Sequence, residues 1–126
     1  MPKEYIDTKH IVRPGGAYSS CLRAGDFIFV AGTLSTNEQG QRVGSTIEEQ
    51  TARALENIRA LLQAAGASLD DVVKATVFLS DLSLFPRYNQ VYSSYFSDPK
   101  PTRLTCGAQL AEGFLVEIEV VAYTGK

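Results

Sequence analysis

The chain reads as an α+β domain in which two helices cover one face of a mixed, mainly antiparallel sheet. Three observations lead there. Two stretches repeat apolar residues at three- and four-residue intervals, the helical period. Others carry β-prone runs or alternate apolar and polar residues, the strand period. The elements follow one another as strands, helix, strand, helix, two strands, and helices that both have an apolar stripe to bury pack on one face of the sheet. At 126 residues there is room for a single domain, 1–126, removing about two thirds of the unfolded chain's surface from water.

Glu4 to Asp7 is expected to open the sheet, with Pro14, Gly15 and Gly16 marking a loop. Tyr18 to Leu22 and Phe27 to Val30 then form a hairpin around Ala24, Gly25 and Asp26. The continuous apolar run Phe27–Ala31 suits a strand covered on both sides. Gly32 follows it, and 35–44 is a polar loop. Ser45 and Glu48 have capping-box spacing and start a helix over about 46–65. Its stripe is Ile47, Thr51, Ala54, Leu55, Ile58, Leu61, Leu62 and Ala65, and Gly66 closes it in a left-handed conformation. Glu48, Glu49, Arg53, Glu56, Arg59 and Gln63 form its solvated face.

Asp70 to Ser80 reads as a central strand. A second helix follows, capped by Asp81 or Ser83, with Pro86 tolerated in its first turn. It carries Phe85, Tyr88, Val91, Tyr92, Tyr95 and Phe96, aromatics whose helical spacing is that of a core stripe. Pro99 and Pro101 deliver the chain to its last segment.

Taken at period two, that segment sorts Leu104, Cys106, Ala108 and Leu110 onto one face, and Val116, Ile118, Val120 and Ala122 onto the same face of a following strand. Ala111, Glu112 and Gly113 make a connection of hairpin length, so the two strands are expected to be antiparallel neighbours. If the apolar faces coincide, so do the others, and Arg103 and Thr105 then share a side with Leu115, Glu117, Glu119, Val121 and Tyr123. This second face is left open by the helices. An open face with apolar members implies a partner, and a second copy of the chain is the economical one.

An arginine near carboxylates on a strand face has two readings. One is a solvated surface with ion pairs worth about 0–1 kcal/mol each. The other is an anion site, because the planar guanidinium fork suits a carboxylate and a neighbouring Glu can move a proton or hold a water. The totals narrow the field. A net charge of −2 argues against a nucleic-acid partner. No run approaches the roughly 20 apolar residues of a membrane helix, and the first residues show no apolar leader, so the chain is expected to be cytoplasmic. Cys21 and Cys106 have neither disulfide-framework nor metal-ligand spacing and are expected as reduced, packed thiols, Cys106 in the core. His10, the lone histidine, sits in an irregular stretch outside any site. No nucleophile triad, zinc pattern or dinucleotide-binding loop is present, so no metal and no cofactor are expected.

Several motifs in this order and spacing resemble one known family. They are Gly16, Ala17 and Tyr18; Val30, Ala31, Gly32 and Thr33; the block EEQTARALENIRALLQAAGASLDDVVKATVFLSD; Asn89 with Tyr92 and Phe96; and PTR followed by VEIE. Together they span nearly the whole chain and resemble the reactive-intermediate deaminases of the RidA or YjgF type. The resemblance implies a chorismate-mutase-like α+β fold, a homotrimer with sheets facing inward, and sites in clefts between adjacent subunits. It implies cofactor-free hydrolysis of small 2-imino or enamino acids to 2-oxo acids and ammonia. Carried over by motif, Arg103 grips the substrate carboxylate and Glu117, rather than Glu119, holds the attacking water. Tyr18, Ala31, Gly32, Asn89 and Thr105 complete the binding pocket.

Two positions depart from the archetype: Ala31 stands where a serine is usual, and Thr105 where a cysteine is usual two residues beyond the arginine. The connection to the last strand is also one residue shorter. These changes alter the pocket's hydrogen bonding and leave the carboxylate grip intact. Two other readings stay open at this point: a deaminase for a catabolic compound of the aminomuconate type, and a protein that binds small carboxylates without turning them over or acts as a chaperone.

Overall fold

The computed structural model describes residues 2–12 and 15–125. Its strands are β1 (Lys3–Tyr5), β2 (Cys21–Ala24), β3 (Phe27–Thr33), β4 (Val72–Leu79), β5 (Thr102–Gly107) and β6 (Val116–Tyr123), and its helices α1 (Ile47–Ala64) and α2 (Phe85–Tyr95). Pro14 lies outside the described residues; Gly15 and Gly16 fall between β1 and β2 as expected.

All strands join one sheet in the order β1-β2-β3-β6-β4-β5. Every pairing is antiparallel except β4 with β5. Because β3 and β4 both run antiparallel to β6, they are parallel to each other, and α1 is the crossover between them. Helix α2 is the crossover from β4 to β5. Parallel strands need such connections, and both helices lie on one face, as the apolar stripes require. Ile28, Val30, Val77, Leu79, Val116, Ile118, Val120 and Ala122 bury that face against Leu55, Ile58, Leu61 and Leu62 of α1 and Tyr88 and Tyr92 of α2.

Helix α1 starts one residue later than the spacing suggested. Thr46, not Ser45, is the cap: its hydroxyl accepts from Glu49 N at 3.1 Å, while Glu49 accepts from the backbone of Ser45 and Thr46. Either hydroxyl satisfies the capping spacing; Gly44, at φ +88°, turns the chain so that Thr46 takes the extended cap conformation. At the other end Gly66 (φ +82°) donates to Gln63 O and Ala67 to Leu62 O, the paired bonds of a left-handed helix end.

The C-terminal hairpin does not form. Strand β6 inserts between β3 and β4, while β5 goes to the sheet edge beside β4, so β5 and β6 are not neighbours. This changes the faces. Arg103 stands opposite Ala75 and Thr105 opposite Val77, both buried beneath the helices, so Arg103 and Thr105 lie on the helix side. Leu104 and Cys106 pair with Thr76 and Phe78 on the other side. Leu104 is 63% exposed and Cys106 half-buried outside the core, contrary to the core assignment. The expected face holds for β6, where Val116, Ile118, Val120 and Ala122 are buried.

The face without helices carries Phe27, Phe29, Val121 and Tyr123 at its centre, with Phe27 and Tyr123 ring centroids 5.1 Å apart. Phe27, Phe29, Tyr123 and Leu104 are all exposed. Among the described residues no helix is long and apolar enough to cross a membrane.

Candidate functional site

The sheet brings the candidate residues together as two separate groups. The first surrounds a cavity of about 220 Å³ at the irregular end of β3, lined by Tyr18, Ser20, Ala31, Gly32, Leu34 and Glu117 among others. Val30 pairs with Val120 and Thr33 with Ile118, so Ala31 and Gly32 together oppose Glu119 alone, a bulge that bends the strand away from β6. Ala31 N donates to Ser20 O at 3.0 Å and Thr33 Oγ1 to Ala31 O at 2.8 Å, which holds the distortion.

Gly32 has a packing reason. A Cβ there would lie 2.7 Å from Glu117 Oε2 and 3.2 Å from its Cδ, so only glycine lets the carboxylate lie against this backbone. Burial pushes the Glu117 carboxyl above its ordinary value, with Glu119 adding repulsion. Glu119 itself is exposed on the same face. Geometry therefore separates two glutamates that strand parity left equivalent. Tyr18 is half-exposed, and its hydroxyl accepts from Gly15 N at 3.1 Å.

The second group is built on β5 and α2. Arg103 donates from one terminal nitrogen to Asn89 Oδ1 at 2.7 Å. Its guanidinium carbon stands 4.7 Å from the Tyr92 ring centroid, 5.3 Å from Phe85 and 5.6 Å from Tyr88, within cation–π range of all three. Spacing puts Phe85, Tyr88, Tyr92 and Phe96 on one helix stripe, with successive centroids 5.5, 5.6 and 4.8 Å apart. Thr105 Oγ1 lies 3.3 Å from the Tyr88 hydroxyl. Burial raises the Tyr88 phenol and pushes Tyr92 up to about 12, keeping both neutral. Among the described residues the ion pairs are Arg59–Glu56 and Arg87–Glu48, and no carboxylate pairs with Arg103.

Tyr18, Ala31, Gly32 and Glu117 thus meet at the cavity, and Asn89, Arg103 and Thr105 meet at the β5 edge. Within one chain the groups do not meet each other. Arg103 faces the helices and Glu117 the open side; β4 lies between their strands, a lateral offset of about 10 Å. The expectation of a shared face is overturned, because it rested on β5 and β6 being neighbours. Sequence reasoning also placed the α2 aromatics wholly in the core. Their second role, as the bed of Arg103, was signalled only by the match between the ring stripe and an arginine whose methylene stem can lie along it. Among the described residues no group of three or more His, Cys, Asp or Glu side chains is placed to hold a metal ion.

Comparison with known proteins shows the family. Residues 8–124 match the family described as Endoribonuclease L-PSP. A RutC family protein of Pyrococcus abyssi is 47% identical over 125 residues, covering 98% of both chains. The 2-iminobutanoate/2-iminopropanoate deaminase of Dermatophagoides farinae is 33% identical, covering 95% of each. The crystal structure of E. coli TdcF with bound serine superposes with a TM-score of 0.88 at 29% identity, covering 97% of this chain and 99% of that one. With the match running through both groups of site residues, the chain belongs to the Endoribonuclease L-PSP family, which includes the RidA/YjgF-type reactive-intermediate deaminases.

Proposed function

We propose that this protein is a cofactor-free deaminase that hydrolyses small 2-imino or enamino acids to 2-oxo acids and ammonia, in sites formed between adjacent copies of a homotrimer. The observation that carries the reading is Arg103: a guanidinium at a sheet edge, held by aromatic rings and one neutral oxygen, with no carboxylate partner among the described residues. Asn89 engages one of its five N–H donors, and among the described residues no carboxylate competes for the fork, which suits an external carboxylate.

Glu117 supplies the complementary half. An imine carbon is already electrophilic, so the protein need only place a water and handle protons. Glu117 as carboxylate accepts a proton from the water as its oxygen bonds to the imine carbon, the C=N electron pair moves onto nitrogen, and Glu117 passes that proton to the nitrogen. In the resulting carbinolamine Glu117 takes the hydroxyl proton as the C=O bond forms and delivers it to the amine, which leaves as ammonia when the C–N bond breaks. A carboxyl group with a raised pKa is a stronger base for taking the water proton, and it holds that proton longer for transfer to nitrogen. Gly32 lets it rest against the bulged backbone, and Ala31, without a hydroxyl, leaves the adjoining wall apolar.

Since Arg103 and Glu117 occupy opposite faces, a substrate that touches both lies between two copies. The exposed Phe27, Phe29, Tyr123 and Leu104 are what such an assembly would cover. The relative named as a 2-iminobutanoate/2-iminopropanoate deaminase and the TdcF structure with bound serine support a small amino-acid-derived ligand. The test is release of ammonia from 2-iminopropionate generated in situ. Wild type should accelerate it over buffer, and Arg103→Ala should lower kcat/KM about 100-fold, the worth of a charge-assisted contact, without changing the assembly. Saturable 2-oxo-acid binding with no hydrolysis across an imine panel would instead mark a non-catalytic binder, and RNA cleavage by pure protein would favour the activity in the family's description.

A further inference from the structure

The α2 rings do more for Arg103 than fill space. Three ring faces converge on one guanidinium, at 4.7, 5.3 and 5.6 Å, and Asn89 fixes one terminal nitrogen from the same helix. Tyr92, nearest of the three, is 3% exposed, and its hydroxyl is buried with no hydrogen-bond partner among the described residues. An unpaired buried hydroxyl costs free energy, so what this position supplies to its surroundings is the ring face, not the phenol oxygen. The rings are themselves fixed: Tyr88 is fully buried, and Tyr92 is sandwiched between Tyr88 and Phe96 at 5.6 and 4.8 Å.

We infer that the ring ladder of α2, with Tyr92 foremost, is a positioning bed that holds the Arg103 guanidinium in one place and plane before any ligand arrives. An exposed arginine otherwise samples many rotamers and loses that freedom on binding. A weakly hydrated guanidinium stacked on rings has already lost it, and so meets a planar carboxylate with its fork oriented. Tyr92 and Phe85 act through Arg103 and are positioning residues. The inference rests on the reading of Arg103 as a carboxylate grip, yet the bed itself is observable without any ligand.

The experiment is solution NMR of the Arg103 Nε–Hε and terminal N–H signals, assigned with Arg103→Lys, in wild type, Tyr92→Phe, Tyr92→Leu and Phe85→Leu. 2-Oxobutanoate titration is run on the same samples. Wild type and Tyr92→Phe should show ring-shifted signals with slow rotation about Nε–Cζ. Tyr92→Leu should lose both features and bind 2-oxobutanoate about tenfold more weakly, with Tyr92→Phe restoring wild-type affinity. Phe85, at the helix start and only half-buried, gives a milder version should Tyr92→Leu fail to fold. Unshifted, freely rotating Arg103 signals in wild type, or signals unchanged by loss of either ring, overturn the bed. Ordered Arg103 signals in a wild type that binds no 2-oxo acid uphold the bed and instead remove the functional reading.

Discussion

Glu117 is costly where it stands, and the cost indicates purpose. Its carboxyl is half-buried, sits beside Glu119 and rests against Gly32, and no hydrogen bond from the described residues favours its charge. Because its folded-state pKa lies above its ordinary value of 4.5, the native state holds the proton more tightly than the unfolded chain does. Stability from this group is therefore fully present below that ordinary value and is lost as pH rises through the raised one. Glu117→Gln should remove this slope: Tm scans from pH 4 to 8 should show the variant gaining on wild type toward neutrality, while kcat/KM for an imine falls about 10²–10³-fold. A Tm difference that does not change with pH contradicts the strained-carboxylate account. Gly32→Ala attacks the same contact from the backbone side. The added methyl displaces a flexible carboxylate at 2.7 Å rather than main chain, so the protein should fold and lose activity about as Glu117→Gln does.

Single elements depend on a few buried polar ties. Gln50, fully buried on α1, donates to Gly44 O at 3.3 Å and Gly113 O at 3.0 Å and accepts from Leu115 N at 2.8 Å. It thereby fastens the loop before α1 and the connection that leads into β6, the strand bearing Glu117. Gln50→Leu keeps the volume and strands those backbone groups, so chemical denaturation should show a loss of about 3 kcal/mol. Thr46→Ala, which removes only the exposed α1 cap, should cost about 1 kcal/mol. Reversal of that ranking would mean that the connection relaxes and rehydrates freely.

At the scale of the whole molecule, the question is whether the two halves of the site meet across copies. Arg103→Ala and Glu117→Gln each damage one half. If Arg103 of one copy serves Glu117 of another, trimers randomly assembled from the two variants should contain intact sites at about one quarter of their interfaces, because each half is contributed independently. Co-refolding the two inactive variants should therefore restore activity to about that fraction of wild type. No restoration would mean that Arg103 and Glu117 do not serve one common site. Introducing charge at the centre of the open face tests its role directly: Phe29→Glu should give a monomer by ultracentrifugation, with its far-UV spectrum retained and its activity gone.

Much of this was legible in the chain alone. The α1 stripe, its capping spacing, the alternation of β6 and the ordered motifs from Tyr18 to VEIE concern neighbours in sequence, where period and turn chemistry act locally. They determine the element order, the helices on one face and the family. Which face Arg103 takes was not legible, since Leu104 and Cys106 are as apolar as a core pair and yet point to the uncovered side of an edge strand. Only the long-range insertion of β6 between β3 and β4 decides that parity, because strand pairing is settled by the whole sheet and not by a connection of hairpin length between two strands. The same insertion brings Glu117 against Gly32 and sends Arg103 to the rings of α2, so tertiary structure, rather than spacing, divides the site in two.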